Sequence, residues 1–190
     1  MKCDVILAGV GGQGVLSVAS IIAHAAVNEG LNVRQSEVHG MAQRGGAVLA
    51  HLRISNMPIA SDLVPRGGAD IIISMEPLES LRYGSWLVPS GIVVTAADPF
   101  INITNYPEPD GIIASVRKFP SHRIIKAAEL AKEAGLARAV NMVMVGSASL
   151  FLPLKMETLE KTISHAFAEK EPAVIAANTK AFQLGRKAAA

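Results

Sequence analysis

Apolar and polar positions alternate along the chain at the spacings of strands and helices. Residues 5–8 form an apolar run that breaks into glycines, and residues 15–30 carry apolar side chains around most of a helix. The pattern predicts a strand, a tight glycine turn and a long helix that ends near Gly30. A narrow polar stripe on this helix comprises Ser17, Ser20, His24 and Asn28. Residues 31–37 are typical of a second strand, which predicts a βαβ unit with a right-handed crossover.

The middle of the chain continues this alternation. Residues 47–54 alternate as a third strand, and residues 69–75 are continuously apolar, as expected for a parallel strand covered on both faces. Pro77 begins a short helix that ends at Gly84. A turn at residues 89–91 precedes a further strand. The pattern therefore predicts a sheet that is mostly parallel.

The second half of the chain is richer in helical periodicity. We expect a strand at residues 112–116 within an irregular, proline-containing segment, followed by helices over 122–135, 139–152 and 157–169 and a last helix from Pro172. Ser121 is a suitable N-cap for the first of these helices. The whole pattern predicts an α/β fold: a Rossmann-like three-layer domain over residues 1–190, with a mostly parallel sheet and helices on both faces.

Composition narrows the class of protein. Half of the 190 residues are apolar, only 18% are charged and the net charge is +2. This balance argues against nucleic acid as a partner and suggests that some apolar surface is covered by another protein. The sequence contains neither a signal-like N-terminus nor an apolar run of about 18 residues. We therefore expect a cytoplasmic protein that makes no use of a membrane.

The turn after the first predicted strand is the leading candidate site. Gly9, Gly11 and Gly14 match the G-x-G-x-x-G spacing, in which backbone N–H groups at a helix N-terminus face whatever lies above the turn. With Gly12 and Gln13 they are candidate contacts for a ligand, most naturally an anion, or for a partner. The same glycines would equally suit a purely structural turn, because they permit positive φ and close packing.

A second polar, glycine-rich segment follows the second predicted strand. It leaves a strand end beside the glycine turn, where open α/β sheets bind ligands. Arg44 could present its guanidinium group to a carboxylate or phosphate. The segment could instead be a flexible polar connection. Its candidate contact residues are Ser36, Glu37, His39, Gly40, Gln43, Arg44, Gly45 and Gly46.

Self-contained catalytic chemistry is missing from the sequence. It contains no G-x-S-x-G nucleophile elbow, no P-loop and no HExxH pairing among its five histidines. Its one cysteine, Cys3, excludes an internal disulfide and a thiolate-held metal cluster within the chain. We assign no catalytic residue and no metal site.

Four motifs in their order along the chain resemble one family. GVGGQG follows the first predicted strand and SEVHGMAQRGG the second, while HLRIS lies in the third and ADIIISMEP in the fourth. Together they are similar to the gamma subunit or domain of 2-oxoacid:ferredoxin oxidoreductases, and HGMAQRGG most resembles the small (beta) subunit of the indolepyruvate type. AANTKAFQLG resembles the last helix of that family, so the likeness covers nearly the whole chain.

The resemblance implies a part in the coenzyme A-dependent oxidative decarboxylation of a 2-oxoacid to acyl-CoA and carbon dioxide, with reduction of ferredoxin. Thiamine diphosphate, Mg²⁺ and iron–sulfur clusters serve that reaction and are expected on larger partner subunits. The chain has too few cysteines for a cluster, and its Asp110-Gly111 pair falls in a predicted loop with no thiamine motif. We expect an accessory subunit, inactive alone, that reaches ferredoxin through the complex and shapes the pocket for coenzyme A or substrate.

Two alternatives stay open at this point. The chain could be a free-standing NAD- or FAD-binding module, with the glycine turn on a pyrophosphate and Glu37 on a ribose. It could also be a structural partner that binds no ligand. The subunit interpretation predicts an exposed apolar patch on the isolated chain and a tendency to form a homodimer through it.

Overall fold

The computed structural model describes residues 1–39 and 45–190, without the side chain of His39. The described residues form a six-stranded sheet flanked by helices. The strands are β1 (Lys2–Val10), β2 (Asn32–His39), β3 (Ala47–Ser55), β4 (Ala69–Ser74), β5 (Leu87–Ala96) and β6 (His122–Ile125). The helices are α1 (Val15–Asn28), α2 (Pro77–Arg82), α3 (Pro109–Val116), α4 (Ala127–Glu133), α5 (Val140–Ala148), α6 (Met156–Ala166) and α7 (Pro172–Ala189). Short 3₁₀ turns cover Gly84–Trp86 and Ala137–Ala139.

The strand order is β2-β3-β1-β4-β5-β6. Strands β1, β4, β5 and β6 pair in parallel, whereas β3 is antiparallel to both β1 and β2. The mostly parallel sheet is thus confirmed. The simple βαβ unit is wrong in one respect, because β3 lies between β1 and β2 and the two do not hydrogen-bond. The short connection from β2 to β3 explains this, since antiparallel neighbours can be joined by a hairpin but parallel neighbours need a long crossover.

Alternate residues of the central strands pack on opposite faces of the sheet. Val5 and Leu7 belong to the larger core under α1 and α4 to α7, while Ile6 and Ala8 belong to a smaller core on the other face. The smaller core also contains Val116 of α3. Each inner strand therefore buries both faces, which confirms the three layers predicted from the continuous apolar runs.

Helices α5 and α7 cross at two glycines. A Cβ atom at Gly146 would lie 1.9 Å from the carbonyl oxygen of Phe182, and one at Gly185 would lie 2.0 Å from that of Val143. Both distances are far below van der Waals contact, so only glycine allows these backbones to touch. Residues 139–152 are mostly apolar, which predicts a buried helix, and the small residues 146–148 predict a close neighbour; both predictions are confirmed in α5. The crossing holds α5 in place with its N-terminus toward the edge of the sheet described below.

Four local predictions in the middle of the chain are wrong. Residues 112–116, predicted as a strand, belong to helix α3, which also contains the Asp110-Gly111 pair predicted in a loop. Residues 122–125, predicted at the start of a helix, form strand β6, so His122 lies on a strand and the helix begins only at Ala127. The turn predicted at residues 89–91 lies within β5, at an irregularity in its pairing with β4.

These corrections have physical causes. Pro109 stands in the first turn of α3, where its fixed φ favours a helix despite the branched side chains that follow. Strand β6 is only four residues long and is recruited by pairing with β5, a contact distant in sequence that no local periodicity reports.

The amino end of β1 buries an ion pair. Asp4 is fully buried, and its two oxygens accept from Nε and Nη2 of Arg53 at 2.8 and 3.0 Å. Arg53 Nη1 also donates to the carbonyls of Ser61 and Leu63, at 3.1 and 3.2 Å. One arginine therefore joins β1 and β3 to the loop over residues 56–68.

A buried histidine fixes the same loop. Nδ1 of His51 accepts a hydrogen bond from the backbone N–H of Val64 at 3.1 Å. Burial, and then the nearby Arg53, lower the pKa of His51 below its ordinary value. The imidazole is thus held in the neutral form that can accept this bond.

No helix in the described part of the chain combines the length and the apolar character that crossing a lipid bilayer requires.

Candidate functional site

A cleft opens where β1, β4 and β5 end together. Because these strands are parallel, their carboxyl ends meet at one edge of the sheet. A cavity of about 400 Å³ lies there, bounded by the glycine turn, by residues after β4 and β5 and by the start of α5. This size falls within the range of small-ligand pockets, so the carboxyl edge is the candidate site.

Two glycines shape the floor of this cleft. Gly12 and Gly14 have φ of 103° and 75°, in the left-handed region that favours glycine. Gly14 directly precedes α1, whose first turn contains no acidic residue and receives no side-chain cap from the described residues. Gly12, Gln13 and Gly14, which lead into the N-terminus of α1, line the cleft.

Gly9 and Gln13 stabilise the glycine turn through packing and hydrogen bonds within the chain. A Cβ atom at Gly9 would lie 2.7 Å from Cγ2 of Val15 and 3.1 Å from Cβ of Met75, so Gly9 serves close packing. Oε1 of Gln13 accepts from the N–H of Val10 at 2.8 Å, and its Nε2 donates to the carbonyl of Met75 at 3.3 Å. Gln13 thus ties the end of β1 to the end of β4 while its side chain lines the cleft.

The two glycine loops are joined through their backbones. The N–H of Gly11 donates to the carbonyl of Gly46 at 2.8 Å, and the N–H of Gly45 donates to the carbonyl of Gly11 at 3.2 Å. The structure thus brings the described part of the second loop beside the glycine turn. Gly40, Gln43 and Arg44 lie outside the described residues.

The remaining candidates lie on the outermost strand. In the register of β2 with β3, Ser36 is opposite His51, Glu37 opposite Ala50 and His39 opposite Val48. Strand β3 separates all three candidates from β1. Glu37 therefore does not occupy the end of the strand next to β1, where a dinucleotide fold places its ribose-binding acid.

Three cleft residues come from elements that the sequence motifs did not cover. Asn141, in the first turn of α5, donates from Nδ2 to the carbonyl of Gly14 at 3.3 Å. Arg138 lines the same wall and is exposed, and Asp98 accepts from the N–H of Ala128 at 3.1 Å. The sequence could have indicated Asn141 as a site residue, because it is the one amide side chain in a predicted helix of mostly apolar residues.

The loop after β5 forms the outer wall. Asn102 donates from Nδ2 to the carbonyl of Gly45 at 2.6 Å, which connects this loop to the second glycine loop. Phe100 lines the cleft and is 41% exposed, and its neighbours Ile101 and Ile103 are 69% and 45% exposed. The sequence could have indicated this exposed apolar surface, because Phe100, Ile101 and Ile103 are apolar residues in an irregular, proline-containing segment.

The base of that loop is fixed by a buried acid. The hydroxyl of Tyr106 donates to Oε1 of Glu76, whose Oε2 accepts from the N–H of Glu79 at 2.8 Å and so caps α2. Burial, and then the hydrogen bond to Glu76, raise the pKa of the Tyr106 hydroxyl. The loop is therefore anchored at Tyr106 while its apolar residues face outward.

The arrangement is suited to binding. Backbone N–H groups and Arg138 can receive an anionic group, and Phe100 offers an aromatic surface. Among the side chains that the structure describes, no group of three or more His, Cys, Asp or Glu is placed to hold a metal ion.

Comparisons with known proteins agree with this geometry. Residues 4–188 match the family model described as pyruvate ferredoxin/flavodoxin oxidoreductase. The indolepyruvate oxidoreductase subunit IorB of Archaeoglobus fulgidus is 38% identical over 97% of this chain and 94% of its own length.

Two solved structures share the fold. The keto/oxoacid ferredoxin oxidoreductase gamma subunit of Geobacter sulfurreducens aligns with a TM-score of 0.72 at 24% identity, covering 98% of each chain. The 2-oxoglutarate:ferredoxin oxidoreductase of Magnetococcus marinus, solved with 2-oxoglutarate, coenzyme A and succinyl-CoA bound, aligns with a TM-score of 0.80 at 23% identity. That alignment covers 99% of this chain and 31% of the other.

Neither the strand order nor the relatives support a free-standing dinucleotide-binding module. The family match spans almost the entire sequence, and the fold agrees with it. The chain therefore belongs to the pyruvate ferredoxin/flavodoxin oxidoreductase family, as a gamma-type small subunit of the 2-oxoacid:ferredoxin oxidoreductases.

Proposed function

We propose that this chain, as one domain over residues 1–190, is the accessory subunit of a cytoplasmic, coenzyme A-dependent 2-oxoacid:ferredoxin oxidoreductase. Its cleft forms part of the entrance for coenzyme A or the 2-oxoacid. The cleft at the carboxyl edge carries this proposal, because it combines the glycine turn before the N-terminus of α1, a cation and an aromatic ring. Coenzyme A offers matching chemistry, since its phosphates are anionic and its adenine is aromatic.

The redox cofactors are assigned to a larger partner subunit. Iron–sulfur clusters are held by sets of cysteine thiolates, and this chain has only Cys3, which is buried in the core. Burial raises the pKa of that thiol to about 12, which keeps it protonated. The residues of this chain do not fit a cluster, and we place thiamine diphosphate and Mg²⁺ on the partner with it.

The exposed apolar side chains beside the cleft support contact with that partner. Phe100, Ile101 and Ile103 stand on a loop whose base is held by Tyr106. A fixed loop with outward apolar groups is typical of protein interfaces. We propose that the partner subunit covers this loop, and that the isolated chain dimerises through it.

Co-expression with the larger subunit of the same enzyme tests this function. We expect a stable complex on size exclusion that reduces ferredoxin only when 2-oxoacid and coenzyme A are both supplied. The isolated chain should show no such activity. If the larger subunit reduced ferredoxin equally well when it was expressed without this chain, the proposal would be contradicted.

Two arginine variants test the entrance. Arg138→Ala and Arg44→Ala should each raise the KM for coenzyme A or the 2-oxoacid by about fivefold in the assembled enzyme, because each removes a guanidinium partner for an anion. Arg117→Ala is the matched control, since Arg117 is exposed at the end of α3 and away from the cleft. Unchanged KM values and unchanged subunit association in both variants would refute a role in the entrance.

A charge placed on the outer loop tests the partner contact. Ile101→Asp should weaken assembly strongly, because it would bury a carboxylate in an apolar interface. Met57→Asp serves as its control, since Met57 is similarly exposed at the other end of the sheet. Equal assembly of both variants would place the interface elsewhere.

A further inference from the structure

A second cavity lies between helices α1 and α6. Its volume is about 630 Å³, within the range of pockets that bind small molecules. The helices meet at a hydrogen bond from Nδ2 of Asn28 to Oγ1 of Thr162, at 3.3 Å. The Thr162 hydroxyl in turn donates to the carbonyl of Thr158 at 2.8 Å. This contact bounds a groove, which we call the α1–α6 groove.

Basic side chains from both helices line the α1–α6 groove. Nδ1 of His24 lies 2.7 Å from the carbonyl oxygen of Ser20, so this nitrogen carries a proton and donates it. Nε2 of His24 has no hydrogen-bond partner among the described residues. Lys161 and His165 stand one turn apart on α6, and neither forms an ion pair with a described residue. Several nitrogen groups are thus available to a ligand.

Glu157 precedes Lys161 by one turn of α6 but is not among the residues that line the groove, and two other acids accept hydrogen bonds from outside it. Glu29, which follows α1, accepts from the N–H of Lys155 at 2.8 Å. Glu160 on α6 accepts from Nε2 of Gln183 on α7 at 2.8 Å. The described residues that line the groove include no carboxylate. Within this lining, a negatively charged ligand would meet only positive and neutral side chains.

The geometry points to a small organic carboxylate as the ligand of the α1–α6 groove. Among the described lining residues, Lys161 alone carries a permanent charge, which matches the single charge of a carboxylate. His24, His165 and the Ser20 hydroxyl supply hydrogen-bonding groups around it. Ile21 and Ala166 provide apolar surface for the remainder of the molecule.

Titration of the full-length chain with benzoate tests this site by backbone amide NMR. We expect saturable shifts at Ser20, His24 and His165 at concentrations on the order of 10 mM. Benzamide has the same shape without the charge and should shift these amides far less. Equal shifts from both compounds, or no saturable shift from benzoate, would overturn the assignment.

Two variants separate charge from shape. Lys161→Gln should weaken benzoate binding roughly threefold, as expected for loss of an exposed ionic contact. Ala166→Phe should abolish binding by filling the groove while leaving the charge in place. Lys170→Gln is the control, because Lys170 is exposed outside the groove. If Lys170→Gln weakened benzoate binding as much as Lys161→Gln, the loss would come from the lower net charge of the protein and not from a contact in the groove, and the site would be refuted.

Discussion

The polar groups at the two ends of the central strands differ in burial and in hydrogen bonding. At the amino edge, Asp4, Arg53 and His51 are buried or nearly so, and their hydrogen bonds join two strands to one loop. At the carboxyl edge, the glycine turn and Arg138 border a cavity of about 400 Å³. The difference lies in the arginines: Arg53 is paired with Asp4, whereas Arg138 lines the cleft and forms no ion pair or hydrogen bond with the described residues, which supports the carboxyl edge as the proposed binding edge.

The largest expected effect is at the amino edge. Asp4→Ala should lower the free energy of unfolding by about 3–5 kcal/mol, because it leaves Arg53 largely buried without its carboxylate. Asp62→Ala is the matched control, since its pair with Arg34 spans 3.7 Å and is about half exposed. Urea unfolding should show little change for the control. A small loss for Asp4→Ala would mean that the amino edge is not held by this pair.

Next in size is the loss of the buried histidine acceptor. His51→Leu should destabilise the fold by about 1–3 kcal/mol, because the N–H of Val64 would lose its partner in a buried position. Urea unfolding at neutral pH measures this loss. His51→Asn, which restores an acceptor oxygen, should recover part of it. Equal stability of the leucine variant and the natural protein would contradict the role of this hydrogen bond.

The same histidine predicts a pH dependence. The pKa of His51 is lower in the folded chain than its ordinary value near 6.5, so below that value the unfolded chain binds more protons than the folded one. Its contribution to stability is therefore complete above about pH 6.5 and falls as the pH drops through the folded pKa. His51→Asn should flatten this part of the curve of unfolding free energy against pH. If the unfolding free energy of His51→Asn still fell with decreasing pH in this range, another titratable group would be responsible for the pH dependence.

At the carboxyl edge we expect a smaller loss of stability and a larger loss of function. Gly14→Ala should cost about 1–2 kcal/mol, because φ is 75° there, and its Cβ would displace Nδ2 of Asn141 from 2.2 Å away. KM for coenzyme A should rise in the assembled enzyme. Gly111→Ala, in open space within α3, should instead stabilise slightly. An unchanged KM for coenzyme A in Gly14→Ala would show that the glycine turn is not part of the coenzyme A binding site.

The smallest effect concerns the thiol at the amino edge. Cys3 is 5% exposed, and burial raises its pKa to about 12, so the folded chain should react with iodoacetamide far more slowly than the chain in urea. The Asp4→Ala variant should react faster, because its amino edge opens more often. Rapid labelling of the natural protein under native conditions would contradict a closed edge.

Local patterns predicted most of the fold but not the strand order. The continuous run at residues 69–75 and the small residues near Gly146 identified a covered strand and a close helix contact, both of which the structure contains. The position of β3 between β1 and β2, and the strand at residues 122–125, depend on pairing between distant segments. Such pairing leaves no period in the local sequence, so these features were not predictable from it.

The candidate site was predictable only in part, for the same reason. The glycine turn was visible because its spacing is local. Asn141, Arg138 and Phe100 reach the cleft from segments 80 or more residues away, brought there by the sheet and by the α5–α7 crossing. Gln13 was recognised as a candidate contact, but its bridge from Val10 to Met75 required the position of β4.

The main-chain join between Gly11 and the Gly45–Gly46 segment has a mechanical consequence. These two peptide hydrogen bonds fix the segment that leads into β3 against the glycine turn before α1. A partner subunit that displaced this segment would therefore also displace the glycine turn, and with it one wall of the cleft that we propose as the entrance for coenzyme A or the 2-oxoacid.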